Sequence, residues 1–424
     1  MTGAGPGGGS RGHDVGPLKR VDAHLQDILA GISPVAPLDL QLLDAHGCIL
    51  AETVTADVDL PPFDNSSVDG YAVRSADLVG ATSSTPVSLP VVGDIAAGSQ
   101  ATYTVQPGLC VRIMTGAPVP VGADAVVPLE WTDAGLAVVS IEHPPEPGAH
   151  IRRRGEDVGT GQAVLEAGTR LGPGQLGLLA AVGRDRVVVR PRPRVVIIST
   201  GSELVEPGTR TAAGQIHESN SYILTTAARE AGATAFRVGI VPDDSRSLMN
   251  TIEDQLIRAD LVLTSGGVSV GAYDVVKEVL SRLGTVDFVG VAMQPGKPQG
   301  YGTIGPDSTP IITLPGNPVS SYVSFEVFVR PVIRRMLGVE PLYRPVVRAV
   351  CQEAFSSPAG KRQYMRGWLD VVDGKYVVRP VGGAGSHLVG ALAHSNALIV
   401  VPEAAEAVPA GGTVEVMVLE RRTG

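Results

Sequence analysis

Acidic and small residues follow several predicted strands in the middle of the chain, where they could bind a phosphate and a metal ion. RVVIIST is a continuous apolar run, which is typical of a parallel strand buried on both faces, and TAFRVGIV and DLVLTS follow as further strands. In an open α/β sheet, ligands bind beyond the carboxyl ends of the strands. The polar and glycine residues near these and later strand ends are Glu203, Asp243, Ser265, Gly266, Gly267, Ser269, Asp274, Lys297 and Asn317.

The segment SGGVSVG, residues 265–271, could form a cradle for an anion. Backbone N–H groups of small residues can approach a phosphate closely, and the positive end of the next helix adds to the attraction. An ordinary glycine-rich turn has the same composition, so the loop alone leaves both interpretations open. We expect Glu203, Asp243 and Asp274 to converge on the same rim, where carboxylates would bind a hard divalent cation such as Mg²⁺. Each carboxylate alone could equally be a helix cap or a surface charge.

Other regions of the chain could contribute to a site from outside this sheet. PPFDNSSVDGYA combines turn-forming residues with Asp69, and the strand CVRIM is followed by Thr115. Both patterns indicate ordered loops without fixing a function. Arg152 begins a run of three arginines that could bind phosphate or be a solvated charge run. In the last region, Lys361 and Arg366 supply positive charge.

The order of predicted elements divides the chain into several regions. Strands and helices alternate from residue 192 to residue 339, which predicts a doubly wound parallel α/β domain. Its helix SYILTTAAREAG could be capped by Asn220 or Ser221. Short strands broken by glycine and proline predict two further β domains. The regions are a disordered tail (1–17), a mixed α+β domain (18–60 and 151–191), an inserted β domain (61–150), the α/β domain (192–339) and a C-terminal β domain (340–424).

The composition excludes several classes of protein. The chain has 424 residues, with 34 Lys and Arg against 43 Asp and Glu, and the net charge of −9 argues against a general nucleic-acid binder. No apolar run is long enough to span a membrane. The three cysteines are far apart and form no CxxC motif, so a zinc or iron–sulfur site is not expected. Because the N-terminus also lacks the apolar segment of a secretory signal, we expect a cytoplasmic protein.

The motifs share one interpretation when they are taken in order. Residues 61–387 contain, in sequence, PPFDNSSVDGYAVR, CVRIMTGAPVPVGADAVVPLE, IRRRGEDV, STGSEL, GQIHESN, TSGGVSVGAYD, PGKP, LPGNPVS and GSH. This series closely resembles the molybdopterin molybdenumtransferase family, which includes MoeA and the gephyrin E domain. With its flanking segments, the resemblance covers nearly the whole chain after the N-terminal tail.

The resemblance implies an architecture and a reaction. The architecture is an elongated homodimer in which loops of the partner subunit complete each site. The α/β domain is of the molybdopterin-binding type, and the C-terminal β domain is barrel-like. The implied reaction is Mg²⁺-dependent hydrolysis of adenylylated molybdopterin with insertion of molybdate and release of AMP. A molybdopterin adenylyltransferase and acceptor molybdoenzymes are then the expected partners, with neither nucleic acid nor a membrane involved.

Carried over motif by motif, the resemblance also implies roles for single residues. The implied catalytic residues are Asp69, Thr115, Glu203, Asp243 and Asp274, of which the last three match the acidic rim for the metal. The implied pterin or phosphate contacts are Arg152, Asn220, Ser265, Gly266, Gly267, Ser269 and Asn317. The implied molybdate contacts are Lys297, Ser320, Lys361, Arg366 and Ser386.

Several positions depart from the commoner family pattern. Ser202 stands where aspartate is frequent, Gln294 where lysine is frequent, and Gly290 where a lysine can occur. Lys361 stands where arginine is usual. The missing lysines leave open whether the site prefers molybdate or tungstate.

Two other functions stay open beside the transferase. One is adenylylation of molybdopterin with ATP on a related α/β domain, although the first-half loops and the C-terminal domain would then have no role. The other is a cofactor carrier or scaffold that uses the same dimer without turnover. The intact acidic rim argues against a carrier, and detection of AMP release would distinguish it from an enzyme.

Overall fold

The computed structural model describes residues 17–100, 102–266 and 273–419. The chain divides into two units. The first, called the N-terminal unit, comprises Asp39–His46 and Leu50–Val189. The second, called the α/β unit, comprises Met1–Leu38, Gly47–Ile49 and Arg190–Gly424. The finer domain boundaries expected from the sequence stay a prediction.

The elements before residue 191 are mostly short strands. In chain order they are α1 (Val21–Ala30), β1 (Leu38–Gln41), β2 (Ile49–Leu50), β3 (Val54–Thr55), β4 (Asn65–Ser66), β5 (Gly70–Val73), β6 (Val87–Ile95), β7 (Cys110–Ile113), β8 (Ala125–Pro128), β9 (Val138–Ile141), β10 (Ile151–Arg152), β11 (Ala163–Leu165), α2 (Pro173–Ala181) and β12 (Arg186–Arg190). Short 3₁₀ turns span Ser75–Leu78 and Leu129–Trp131. A five-stranded sheet, in the order β8-β5-β7-β6-β9, forms the predicted inserted β region.

From residue 194 onward, strands and helices first alternate and are then replaced mainly by strands. They are β13 (Arg194–Thr200), β14 (Leu204–Val205), β15 (Ile216–His217), α3 (Asn220–Ala231), β16 (Thr234–Val241), α4 (Ser245–Leu256), β17 (Leu261–Ser265), α5 (Tyr273–Leu283), β18 (Gly284–Gly290), β19 (Met293–Gln294), β20 (Pro298–Ile304), β21 (Thr309–Leu314), α6 (Pro318–Ser324), a π-helical turn (Phe325–Val329), α7 (Arg330–Leu337), β22 (Val346–Cys351), β23 (Phe355–Ser356), β24 (Arg362–Val372), β25 (Lys375–Pro380), α8 (Val389–Ala393), β26 (Ala397–Val401), β27 (Ala407–Val408) and β28 (Thr413–Val418).

The central sheet of the α/β unit has helices packed on both faces. Along β13, Val195 and Ile197 belong to a core shared with α1, α3, α6 and α7. The alternate residues Val196 and Ile198 belong to a second core shared with α4 and α5. Successive side chains of a strand point to opposite faces, so a strand covered on both sides must be apolar throughout. The predicted doubly wound α/β domain is confirmed.

The sheet is parallel in one part and antiparallel in the other. Its order is β16-β13-β17-β21-β20-β18, in which the first four strands are parallel and β20 and β18 are antiparallel. The sequence analysis missed β20 because its PQGYGTI segment has no continuous apolar run. Strands β20 and β18 extend the parallel sheet beyond β21, and Lys297 lies directly before β20.

The C-terminal strands close into a small barrel, as predicted. Strands β24, β25, β22, β28 and β26 follow one another in the sheet, and β26 also pairs with β24. This closure leaves no free sheet edge among the five strands.

The predicted cap of α3 is wrong, because the helix begins at Asn220 and is preceded by Ser219. Within the described residues, no helix has the length and apolar character needed to cross a bilayer.

Candidate functional site

A cavity of about 210 Å³ lies beyond the carboxyl ends of β13 and β17, where the sequence predicts a ligand. We call it the strand-end cavity. The residues that line it are Ser199, Thr200, Gly201, Glu203, Leu204, Ile216, His217, Glu218, Ser219, Asn220, Asp243, Ser265, Gly266, Gly316 and Pro318. Five of the predicted site residues, namely Glu203, Asn220, Asp243, Ser265 and Gly266, are therefore brought together here. Gly267, Ser269 and the side chain of Asp274 lie outside the described residues.

Glu203 and Asp243 are the two carboxylates of the predicted acidic rim that can be located. Both line the strand-end cavity, and Asp243 accepts a hydrogen bond of 3.3 Å from the Ser202 backbone. Neither has an ion-pair partner among the residues that the structure describes. The described residues contain no group of three or more His, Cys, Asp or Glu side chains that could hold a metal ion. The pair supplies hard oxygen donors of the kind that Mg²⁺ takes, usually together with water and substrate oxygens.

The Ser265 hydroxyl is already occupied by protein partners. Asn220 Nδ2 donates to it at 2.8 Å, and the same amide donates to the Gly316 carbonyl at 2.6 Å. The Ser321 hydroxyl lies 3.3 Å from it. Asn220, at the start of α3, thus ties the loop after β17 to the loop after β21. The two predicted phosphate contacts Ser265 and Asn220 form part of the framework of the cavity.

Gly266 has a backbone conformation that favours glycine. Its φ is +95°, and a Cβ at this position would lie 2.4 Å from the Thr200 carbonyl oxygen. An L-residue therefore meets both local strain and a backbone clash here. The glycine lets the first residue after β17 pass directly against the end of β13.

A second cavity, of about 820 Å³, is lined by the predicted oxyanion residues. We call it the lysine cavity because Lys297 and Lys361 both line it. Ser320, Ser386 and Asn317 also face it, and Asn317 Nδ2 donates to Ser386 Oγ at 3.0 Å. It shares lining residues with the strand-end cavity, namely Glu203, Ile216, His217, Ser219, Gly316 and Pro318. Ammonium and hydroxyl donors on one wall can bind an oxyanion without a metal.

Arg366 does not line the lysine cavity, although the sequence predicts it as an oxyanion contact. It is 1% exposed, and its guanidinium donates to the Gly383 carbonyl. Burial lowers the pKa of this guanidinium. Gly383 directly precedes Ala384, which lines the cavity, so Arg366 supports the loop that carries Ser386. The sequence could not show this because it does not reveal which arginines the barrel buries.

In the N-terminal unit, the structure brings Asp69 and Thr115 together. The Thr115 backbone N–H and hydroxyl both donate to Asp69 Oδ1, at 2.7 and 2.8 Å. These hydrogen bonds lower the pKa of Asp69, so the exposed carboxylate is held ionised and oriented. The contact joins two loops that are 46 residues apart in the chain.

The arginine run of the N-terminal unit separates into two roles. Arg153 and Arg154 form ion pairs with Asp64 and Asp59, at 2.6 and 2.5 Å. Arg152, in β10 beside β4, is exposed and has no ion pair with any described residue. The run is therefore partly structural, and Arg152 alone stays a candidate phosphate contact.

Glu218 is a cavity residue that the sequence analysis did not single out. It is 2% exposed and accepts hydrogen bonds from the Ser199 hydroxyl, the Ser221 backbone and the Ser221 hydroxyl, at 3.0, 2.7 and 2.5 Å. Arg237 also lies 3.6 Å from Glu218 Oε2, the oxygen that accepts from the Ser221 hydroxyl. The signal in the sequence was GQIHESN, whose glutamate precedes α3. The carboxylate is compensated within the protein and fixes the wall between β13 and α3.

Family models match most of the chain. The MoeA N-terminal region (domain I and II) matches residues 19–183, a probable molybdopterin binding domain matches residues 196–335, and the MoeA C-terminal region (domain IV) matches residues 348–419. The predicted site motifs fall within these three ranges.

Curated relatives and solved structures align over nearly their full length. Molybdopterin molybdenumtransferase 2 of Mycobacterium tuberculosis is 46% identical over 94% of this chain and 99% of its own. The molybdopterin molybdenumtransferase of Bacillus subtilis is 36% identical over 90% of each chain. The crystal structure of a molybdopterin biosynthesis MoeA protein from Pyrococcus horikoshii has a TM-score of 0.76 and 31% identity, and it covers 96% of this chain and 100% of that one.

Proposed function

Because the chain belongs to the MoeA family of molybdopterin molybdenumtransferases, we propose that it inserts molybdate into adenylylated molybdopterin and releases AMP. The observation that carries this proposal is the pair of adjoining cavities in the α/β unit. One has two carboxylates, Glu203 and Asp243, that form no ion pair with a described residue, and the other has two lysines and several hydroxyls. A substrate with a phosphate anhydride and a dithiolene needs these two environments side by side.

The strand-end cavity suits the phosphate side of the reaction. Glu203 and Asp243 would hold Mg²⁺, with Asp274 as the third expected ligand. The ion would neutralise charge on the phosphate anhydride when bound. Ser265, Asn220 and Gly316 hold the end of β17, where the glycine loop begins, through the hydrogen bonds described above. The protein therefore contributes oxygen donors and a fixed strand end.

The lysine cavity suits molybdate as substrate. The Lys297 and Lys361 ammonium groups attract a dianion, and Ser320 and Ser386 offer hydroxyl donors. Gln294 also lines this cavity, in place of the frequent lysine. Among the described residues that line this cavity, Lys297 and Lys361 are the only lysine or arginine side chains. We propose that Arg366 acts by positioning the loop of Ser386.

The proposed function is tested by AMP release from adenylylated molybdopterin. We expect release to require Mg²⁺, to stop on chelation with EDTA and to return when Mg²⁺ is restored. Molybdate in the same reaction should yield active enzyme from an apo-molybdoenzyme. Formation of adenylylated molybdopterin from ATP would instead indicate an adenylyltransferase. Binding of the pterin with no AMP release, even with tungstate, would indicate a carrier.

We further propose that the enzyme is a cytoplasmic homodimer in which Asp69 and Thr115 of one subunit complete the cavities of the other. Support comes from the family membership and from the exposed Asp69 carboxylate, which Thr115 holds in one orientation. A molybdopterin adenylyltransferase would supply the substrate, and apo-molybdoenzymes would take the product.

Complementation between two inactive variants tests the shared site. We expect Asp69→Ala and Asp243→Ala to be inactive alone but to recover about one quarter of wild-type AMP release when co-expressed in equal amounts. Half of the dimers are then mixed, and each mixed dimer has one site with both residues intact. Differently tagged subunits and copurification measure the fraction of mixed dimers. Mixed dimers without activity would contradict the shared site.

A further inference from the structure

Thr200 ends β13 and lines the strand-end cavity, and its hydroxyl is buried. The residue is 3% exposed and lines this cavity. Its Oγ1 has no hydrogen-bond partner among the residues that the structure describes. Buried polar groups in proteins almost always have a partner, and an unsatisfied buried hydroxyl costs about 1–3 kcal/mol. The hydroxyl therefore needs a partner that the described residues do not supply.

Neighbouring hydroxyls of the same cavity differ from Thr200 in this respect. The Ser199 hydroxyl donates to Glu218 at 3.0 Å. The Ser265 hydroxyl accepts from Asn220 at 2.8 Å and lies near Ser321. These two hydroxyls maintain the walls of the cavity, whereas no described residue uses the donor or the lone pairs of the Thr200 hydroxyl.

The size and charge of the cavity indicate which part of a ligand meets Thr200. At about 210 Å³ the cavity is below the range of sites that enclose a whole small molecule, so one polar group of a larger ligand enters it. Glu203 and Asp243 would repel an anion unless a divalent cation lay between them. With that cation, a phosphoryl oxygen fits, because it only accepts hydrogen bonds and the threonine hydroxyl donates one.

We propose that the Thr200 hydroxyl donates a hydrogen bond to a phosphoryl oxygen bound in the strand-end cavity. Thr200 is then a substrate-binding residue alongside the loop that begins at Gly266. The Gly266 conformation supports this contact, since it brings Gly266 itself against the end of β13. The inference rests on the proposed function, which supplies the phosphate-bearing substrate and AMP as product.

Binding of AMP to the full-length protein in Mg²⁺ tests the inference, with isothermal titration calorimetry as the measurement. We expect Thr200→Val to lower the affinity about 10-fold or more, because hydrogen bonds to charged groups contribute about 1.5–3 kcal/mol. Thr200→Ser keeps the hydroxyl and should bind within about threefold of wild type, a difference under 1 kcal/mol. The melting temperature of Thr200→Val should not fall, since the change removes an unsatisfied buried hydroxyl.

Thr264→Val is the matched control. Thr264 lies on the neighbouring strand β17, is 1% exposed and also has no partner for its hydroxyl among the described residues, but it does not line the cavity. Its substitution should leave the AMP affinity unchanged. An unchanged affinity in Thr200→Val, or an equal loss in Thr264→Val, would overturn the inference alone. If wild type binds neither AMP nor adenylylated molybdopterin, the proposed function fails, and the inference fails with it.

Discussion

Gly266→Ala is expected to lower kcat/KM for AMP release by about 100-fold or more, since misplacing a reacting group by about 1 Å can have an effect of that size. The added Cβ would lie 2.4 Å from the Thr200 carbonyl oxygen, which is too close for non-bonded atoms. The loop after β17 must therefore move away from β13. This displacement would move the backbone amides that we expect to face the phosphate and would disturb the contact with Thr200.

The control for Gly266→Ala separates a clash from backbone strain. Gly168 has a similar φ of +89°, but a Cβ there would meet no described atom within 4 Å. Gly168→Ala should introduce the same strain of about 1–2 kcal/mol and leave AMP release within about threefold of wild type, or under 1 kcal/mol in activation free energy. Comparable activity in the two variants would show that the position of the Gly266 loop does not matter for the reaction. Melting temperatures of both variants identify any loss that is due to unfolding.

The features of the α/β sheet that could be predicted are those that depend on periodicity. A strand buried on both faces must be apolar throughout, so RVVIIST identified β13 without further information. Strand ends in such a sheet meet at one edge, which brought Glu203, Asp243 and Ser265 to one cavity. The antiparallel β20 escaped prediction because its glycines pack against neighbouring strands and leave no apolar signal.

The features of the site that could not be predicted depend on which partner each polar group finds. Ser265 and Thr200 both lie at strand ends, yet among the described residues the Ser265 hydroxyl finds partners and the Thr200 hydroxyl finds none. Arg366 carries the charge expected for oxyanion binding, but it is buried and donates to the Gly383 carbonyl. Such differences follow from distances of a few ångströms between segments far apart in sequence, which residue types and spacing do not specify.

A buried ion pair between Arg344 and Glu326 joins the π-helical turn after α6 to Leu419, at the end of the barrel. Arg344 donates to both oxygens of Glu326 at 2.8 and 2.9 Å and to the Leu419 carbonyl at 2.6 Å. The side chain of Glu326 is fully buried, and that of Arg344 is 12% exposed. Ser320 and Ser321 lie one to two turns earlier in the same helical segment, but neither Glu326 nor Arg344 lines either cavity.

Arg344→Met is expected to destabilise the protein by about 3–5 kcal/mol, because it leaves the Glu326 carboxylate buried without its partner. Replacing both partners in Glu326→Leu/Arg344→Met removes the buried charge and should recover most of that loss. Arg194→Met is the control: Arg194 forms a similar two-point contact with Asp260, but half of its side chain is exposed. Its loss should cost at most about 1 kcal/mol.

Urea unfolding of the three variants measures these differences, with the transition midpoint and slope compared to wild type. The buried pair is required only for the folded framework, so AMP release by Arg344→Met should stay near wild type at low temperature and in the absence of urea. An unchanged urea midpoint for Arg344→Met would contradict the structural role of the pair. A double variant no more stable than Arg344→Met would show instead that the other contacts of Arg344, with the Leu419 carbonyl and with Glu230 at 3.5 Å, carry the stabilisation. The packing of this helical segment would then depend on the Arg344 guanidinium rather than on its ion pair with Glu326.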